Sequence, residues 1–149
     1  MSTWDASNLD LALEQAKLAA SLGEVPVGAV IVKDGKVIAQ AHNVKEFTQN
    51  AVGHAEILAI QKATTLLGDW RLDGCDLYCT LEPCPMCAGA MLHARIRHVF
   101  YGAKDKKWGA AGSVVHLLDK PYFNHQTIAT YIPDSRCSEI LSNFFQKLR

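Results

Sequence analysis

Residues 27–41 read VGAVIVKDGKVIAQA, in which two apolar runs flank the dipeptide Asp34-Gly35. An Asp-Gly pair between two β-branched runs is a strong local signal for a β-hairpin, because both turn residues must tolerate a positive φ angle. The sequence therefore predicts one strand over Val27–Lys33 and a second over Lys36–Ala41, joined by a tight turn.

Helices and strands alternate after this hairpin. Residues 43–50 are predicted to form a polar loop, and helical spacing of apolar residues or β-branched runs define the other segments. In chain order these are a helix over Asn8–Leu22, a helix over His54–Leu67, a strand over Leu77–Thr80, a helix beginning near Pro85, a strand over His98–Tyr101, a strand over Gln126–Ile132 and a helix over Ser138–Leu148. This order favours an α/β sandwich around a mixed sheet, formed by residues 1–149 as a single domain.

The composition excludes several classes of protein. Fifteen basic and fifteen acidic residues give a net charge of zero, which argues against a protein that wraps DNA or binds membranes through a polybasic surface. The longest apolar run, Val25–Val32, is much shorter than the roughly 20 residues that span a bilayer. Acidic residues near the N-terminus argue against a signal peptide. Five cysteines cannot all pair, so we expect reduced thiols and a cytoplasmic location.

Two short motifs carry the chemistry, Gly53-His54-Ala55-Glu56 and Pro83-Cys84-Pro85-Met86-Cys87. Each lies at the predicted start of a helix, where Cys84 and Cys87 share one face and where the helix N-terminus favours a thiolate. With a nitrogen from His54, the chain offers three metal ligands. Zinc with three protein ligands keeps one position open, which is typical of a hydrolytic site.

Glu56 follows His54 by two positions, which is too far around a regular helix for it to be a fourth ligand. In the first turn, however, both side chains can reach one pocket. A carboxylate beside a metal site can carry protons between water and a substrate. His-x-Glu followed by Pro-Cys-x-x-Cys, with the Glu not a ligand, is a known signature of zinc nucleobase deaminases, and bacterial tRNA deaminases are among its standard examples.

Other readings of the same cysteines stay open at this point. A Cys-x-x-Cys pair alone could be redox-active, and Cys75 and Cys79 could complete an all-cysteine structural site with Cys84 and Cys87. Both readings leave His54 and Glu56 without a role. We therefore expect Cys75, Cys79 and Cys137 to be small buried residues.

The sequence resembles the bacterial tRNA-specific adenosine deaminases, the TadA family, from about Leu11 to Phe145. The shared segments are EVPVGA at 24–29, His42-Asn43, HAEILAI at 54–60, TLEPCPMCAGA at 80–90, YGAKD at 101–105, GAAGS at 109–113 and Asn124-His125. Gly53, Cys79 and Trp108 depart from the family pattern. The bulky Trp108 could alter how the loop fits RNA or could pack in a dimer.

The resemblance implies a cytidine deaminase-like fold, a three-layer α/β/α sandwich with a central mixed five-stranded sheet. It also implies a zinc-dependent homodimer that converts adenosine to inosine at the tRNA wobble position. His54, Cys84 and Cys87 match the zinc ligands, and Glu56 matches the proton carrier. The residues expected to contact the substrate are Asn43, Ala55 through its backbone N–H, Asp105, Lys106, Asn124, His125 and Phe144.

Two other functions remain open from the sequence. One is a small-molecule base deaminase such as a guanine deaminase, and the other is a non-catalytic zinc-stabilised module that binds RNA. The region Lys104–Ser113 together with Asn124-His125 discriminates between RNA and a free base, since a free base needs no basic surface outside its pocket. A run of lysines is also common on an ordinary solvated face.

Overall fold

The centre of the fold is a mixed five-stranded sheet. A computed structural model, which describes residues 4–148, gives its strands as β1 (Gly28–Lys33), β2 (Lys36–His42), β3 (Cys75–Cys79), β4 (His98–Tyr101) and β5 (Ile128–Tyr131). The strand order is β2-β1-β3-β4-β5. Strand β1 runs antiparallel to β2 and β3, whereas β3, β4 and β5 are parallel. The predicted mixed sheet is confirmed.

The predicted hairpin lies at one edge of this sheet. Asp34 and Gly35 have φ angles of 51° and 76°, which is the left-handed region that an Asp-Gly turn supplies. Lys33 pairs with Lys36 across the turn, and the register shifts once, between Ile31 and Val32. The turn therefore fixes the pairing of β1 with β2.

Residues 4–148 form five helices, and the longer ones lie on the two faces of the sheet. The five helices are α1 (Ala6–Ser21), α2 (Lys45–Thr48), α3 (Ala55–Leu67), α4 (Pro85–His93) and α5 (Ser135–Lys147). Alternate residues of a strand point to opposite faces. Accordingly, Val30 packs with Leu13 of α1 and Cys137 of α5, whereas Ile31 belongs to the cluster that holds Ala59 of α3 and Met91 of α4. The three-layer α/β/α architecture follows from these two clusters.

Some elements and boundaries differ from the prediction. The polar loop at residues 43–50 contains the short helix α2. Helix α5 begins at Ser135 instead of Ser138, because the Asp134 carboxylate accepts the Arg136 N–H at 3.0 Å and caps the helix there. Strand β3 begins at Cys75, two residues before the predicted start. Within residues 4–148, no helix is both long enough and apolar enough to cross a membrane.

Candidate active site

The N-termini of helices α3 and α4 converge on one point. His54 is the N-cap residue of α3, with extended backbone angles (φ −80°, ψ 147°), and Cys84 is the N-cap residue of α4. Pro85 occupies the first position of α4, where a missing N–H costs nothing. Both helix N-termini present partial positive charge to the site, which favours anionic ligands.

His54, Cys84 and Cys87 meet at this point. Their ligand atoms all lie within 4.8 Å of one another. The His54 Nδ1 atom lies 3.6 Å from Cys84 Sγ and 3.5 Å from Cys87 Sγ. Ligands about 2.0 Å (nitrogen) and about 2.3 Å (sulfur) from a tetrahedral zinc ion would be roughly 3.5 Å apart, so the donor set fits this metal in chemistry and in spacing.

The two thiols differ in their proton affinity. A hydrogen bond from Cys87 lowers the pKa of Cys84 to about 4, against the opposing effect of burial, with a further contribution from His54. The same hydrogen bond and burial raise the pKa of Cys87. A metal binds the thiolate form, so Cys84 is ready to bind and Cys87 must release its proton when a cation arrives.

The alternative all-cysteine site is not formed. Cys75 and Cys79 are buried in β3, and their thiols donate to the backbone carbonyls of Asp73 and Phe100. Among residues 4–148, the group of three or more side chains that could hold a metal contains His54 and the two α4 cysteines alone. All five cysteines are free thiols.

Glu56 lies beside the three donors and is only 4% exposed. Burial raises the pKa of its carboxyl group to about 7, against the opposing effects of its own backbone N–H and of His54. A cation at the three donors would lower this pKa by its charge. A carboxyl group tuned in this range can both accept and release a proton at neutral pH.

A pocket of about 490 Å³ opens over these residues. Its lining combines two of the three donors, His54 and Cys84, with Glu56, apolar side chains and residues from several connecting segments. The lining residues are Val25, Val27, Asn43, Lys45, Ala51, His54, Glu56, Leu81, Glu82, Cys84, Met86, Asp105 and Trp108. Two of the residues expected at the substrate, Asn43 and Asp105, are therefore in the pocket.

Ala55 differs from the expectation. Its backbone N–H was expected to face the substrate, but it donates to Asn43 Oδ1 at 2.8 Å. The N-cap residue His54 makes no side-chain hydrogen bond to the first turn of α3. Asn43 instead satisfies one of the free N–H groups there. This bond fixes Asn43 at the end of β2 with its amide group in the pocket.

The other expected substrate contacts lie outside this pocket. Lys106 is exposed beside Asp105, and Phe144 is half-buried on α5, where it packs edge-on against Phe145 with ring centroids 5.5 Å apart. Asn124 and His125 line a different cavity, and His125 Nε2 lies 2.8 Å from the Ile96 carbonyl oxygen. Their roles stay predictions.

Sequence reasoning missed two buried carboxylates near the pocket. Glu24 accepts the backbone N–H groups of Glu46 and Phe47 at 3.0 and 2.6 Å, which fixes α2 at the pocket wall. Glu82 accepts hydrogen bonds from residues 105–113. Burial alone would raise the pKa of Glu82, but these hydrogen bonds outweigh it and lower the pKa. The sequence gives one signal for Glu24 and Glu82, which is that each is a charged residue within an otherwise apolar motif.

Comparison with known proteins identifies the class first. A family model described as MafB19-like deaminase matches residues 5–149. A solved structure of a guanine deaminase from Bacillus subtilis is 34% identical, with a TM-score of 0.66, and the match covers 98% of this chain and 94% of that chain. The fold and the site are those of a nucleobase deaminase.

More similar proteins define the family. The tRNA-specific adenosine deaminase of Bacillus subtilis (strain 168) is 46% identical over 148 residues, which cover 99% of this chain and 92% of that protein. That of Aquifex aeolicus (strain VF5) is 49% identical over 141 residues, covering 95% and 93%. A structure from a study of A-to-I editing by tRNA A34 deaminases is 43% identical, with a TM-score of 0.88, and the match covers 92% of this chain and all of that one. This chain belongs to the tRNA-specific adenosine deaminase family.

Proposed function

We propose that this protein hydrolyses adenosine to inosine at the wobble position, position 34, of a tRNA anticodon. The observation that carries the proposal is a pocket of about 490 Å³ lined by His54, Cys84 and Glu56, with the buried Cys87 thiol completing the His-Cys-Cys donor set beside it. Membership of the tRNA-specific adenosine deaminase family, at 46% and 49% identity to two members, supports adenosine in tRNA as the substrate.

Zinc is the metal that His54, Cys84 and Cys87 would hold. One imidazole and two thiolates suit zinc, and three protein donors leave a position for water or substrate. The chemistry that zinc supplies in such a site is an activated water at neutral pH. We propose one zinc ion per chain.

Glu56 would carry the protons of the reaction. Its carboxylate takes a proton from the attacking water and delivers it to N1 of the adenine ring, which makes C6 more electrophilic. It then carries the remaining proton of the added water, from the new hydroxyl group on C6, to the amino group as the C6–N bond breaks. Water and adenosine are consumed, and inosine and ammonia are released. Its burial and its place beside the donors support this assignment.

The substrate must be an unstacked base, because C6 of an adenine within a helix cannot be reached. An anticodon loop offers such a base. Asn43 and Asp105 would hold the target nucleotide and its neighbour, since both line the pocket. Lys106 lies beside Asp105 and would contact the phosphates, whereas Asn124, His125 and Phe144 would touch RNA outside the pocket.

A second copy of this chain is the other partner that we propose. Several large apolar side chains are exposed along residues 114–123, and exposed apolar surface of this kind is typical of an interface. They are Val114, Val115, Tyr122 and Phe123. Location in the cytoplasm would follow from a tRNA substrate.

The test uses purified protein with a measured zinc content. It is incubated separately with an anticodon stem-loop that carries A at the wobble position, with free adenosine and with free guanine. We expect inosine in the stem-loop and little product from either small molecule. Xanthine from guanine would favour a small-molecule base deaminase instead. No product at stoichiometric zinc would refute the enzymatic proposal and favour a non-catalytic RNA-binding module.

A further inference from the structure

Glu82 is a buried charged residue that the proposed reaction does not use. It lies between β3 and α4, two residues before Cys84, and is 1% exposed. A buried carboxylate is costly unless hydrogen bonds satisfy both of its oxygens. The question is therefore which groups satisfy Glu82 and what they gain from it.

All of its side-chain partners come from one segment, residues 105–113, which we call the rim loop. Glu82 Oε1 accepts the Asp105 N–H at 3.1 Å and the Ser113 hydroxyl group. Glu82 Oε2 accepts the N–H groups of Ala111 at 2.9 Å and of Ser113 at 3.1 Å. Each oxygen thus accepts two hydrogen bonds, and the loop is gathered around a single carboxylate at both of its ends.

Gly109 shows how closely the rim loop surrounds this carboxylate. A Cβ atom at position 109 would lie 2.5 Å from Glu82 Cδ, 2.6 Å from its Oε1 and 2.4 Å from the Asp105 carbonyl oxygen. These distances are far below ordinary van der Waals contact. Only glycine lets the loop backbone approach Glu82 so closely.

The rim loop places two side chains at the pocket. Asp105 and Trp108 both line it, and the Trp108 residue is 66% exposed. Asp105 Oδ1 accepts the N–H groups of Lys107 and Trp108, both at 3.0 Å, so the carboxylate of Asp105 also shapes the turn that carries Trp108. Glu82 therefore anchors the part of the pocket wall that Asp105 and Trp108 form.

We propose that Glu82 is a positioning residue for the nucleic acid substrate: it holds the rim loop so that Asp105 and Trp108 form a fixed wall against the nucleotides. This inference rests on the proposed function for the identity of the substrate. The negative charge is required because four donors converge on two oxygens. A glutamine would offer one acceptor oxygen and would turn an NH₂ group toward two of the donors.

The test compares Glu82→Gln with the wild-type enzyme, both with measured zinc. Glu139→Gln, on the exposed face of α5, is the matched loss of one carboxylate. In Glu82→Gln we expect faster amide hydrogen exchange at Asp105, Ala111 and Ser113. We also expect a KM for the stem-loop raised by about tenfold or more, which corresponds to about 1.4 kcal/mol. In Glu82→Gln the expected fall in kcat is smaller than the rise in KM, and the zinc content stays at the wild-type value. In Glu139→Gln we expect amide exchange, KM, kcat and zinc content all at wild-type values.

Ser113→Ala provides a second, milder variant, because it removes one of the four donors and keeps the carboxylate. We expect a smaller rise in KM in the same direction. If Glu82→Gln does not fold, this variant decides the question, and unchanged KM and exchange in it would overturn the proposal.

Three further results have defined meanings. Unchanged exchange at the three amides of Glu82→Gln would refute the anchoring role, and faster exchange with an unchanged KM would refute the link to substrate. Loss of zinc with a fall in kcat alone would assign Glu82 to the metal site and overturn the proposal. If the wild-type enzyme makes no inosine, the proposed function fails, whereas the exchange data still decide whether Glu82 holds the loop.

Discussion

Helix α1 lies so close to β1 that Gly28 cannot carry a side chain. A Cβ atom at this position would lie 1.9 Å from the Ala12 carbonyl oxygen and 2.8 Å from both the Ala16 nitrogen and Gln15 Cβ. The contacted atoms are mainly helix backbone, which cannot rotate away. Two hydrogen bonds also hold Gly28 in place: its N–H donates to the Thr80 hydroxyl oxygen and its carbonyl oxygen accepts the Thr80 N–H, each at 3.1 Å. The strand therefore cannot move away from the helix freely.

Gly28→Ala should therefore push α1 outward by more than an ångström. Overpacking costs about 1–3 kcal/mol where side chains can adjust. We expect the upper end of this range, about 3 kcal/mol of the free energy of unfolding, because Leu9 and Leu13 of α1 would lose their packing on Val30. For a domain of this size that corresponds to a fall in Tm of roughly 6–12 °C.

The assay is urea unfolding at a fixed zinc concentration, since any ligand of the native state adds to its stability. Gly89→Ala is the matched control, because Gly89 is in helix α4 and a Cβ atom there would meet nothing within 4 Å. The free energy of unfolding of this control should rise by about 0.5–1 kcal/mol, because alanine has a higher helix propensity than glycine. A Gly28→Ala protein within about 0.5 kcal/mol of wild type would refute the steric argument, particularly if the control behaves as expected.

Three other changes test the site and the fold. Glu56→Gln should keep its zinc, because no donor is removed, and should lose at least about 100-fold in deamination rate; loss of zinc would show that Glu56 is a ligand. Cys87→Ala should lose both zinc and activity, since it removes one of three donors, and a wild-type zinc content would disprove its role. Burial lowers the pKa of His98 below 6.5 in the folded protein. As the pH falls, the unfolded chain therefore binds a proton at this position before the folded chain does, and the free energy of unfolding decreases. His98→Gln should therefore reduce the loss of unfolding free energy between about pH 7 and pH 5, measured by urea unfolding, and an unchanged slope would contradict this account.

Local signals predicted most of the fold. The Asp34-Gly35 turn forms with both residues at positive φ, and Gly68 ends α3 at a φ of 66°, as its position after Leu67 predicted. The sequence pattern predicts the start of α5 at Ser138, three residues later than the helix begins. Asp134, which is equally visible in the sequence, is the residue whose carboxylate caps it.

Non-local partners explain what the sequence did not predict. The resemblance implies RNA contacts for Asn124, His125 and Phe144, and these residues lie outside the pocket, so their roles stay predictions. Glu82 meets donors that are 23 to 31 positions away in sequence. No periodicity or spacing rule connects residues at such distances, so the role of Glu82 becomes visible only in the folded chain.

The clustering of His54, Cys84 and Cys87 was predictable because helix ends, rather than helix faces, bring them together. His54 and Glu56 could not share one face of a regular helix, but His54 is an N-cap residue with extended backbone, so the helical spacing applies only from Ala55 onward. Its imidazole can therefore reach the cysteines while Glu56 enters the pocket from the first turn. The pair Cys84 and Cys87 works in the same way, as N-cap and first-turn residues of α4. A helix N-terminus leaves N–H groups free and carries positive potential, so two such ends facing each other supply both the geometry and the field that an anionic donor set needs.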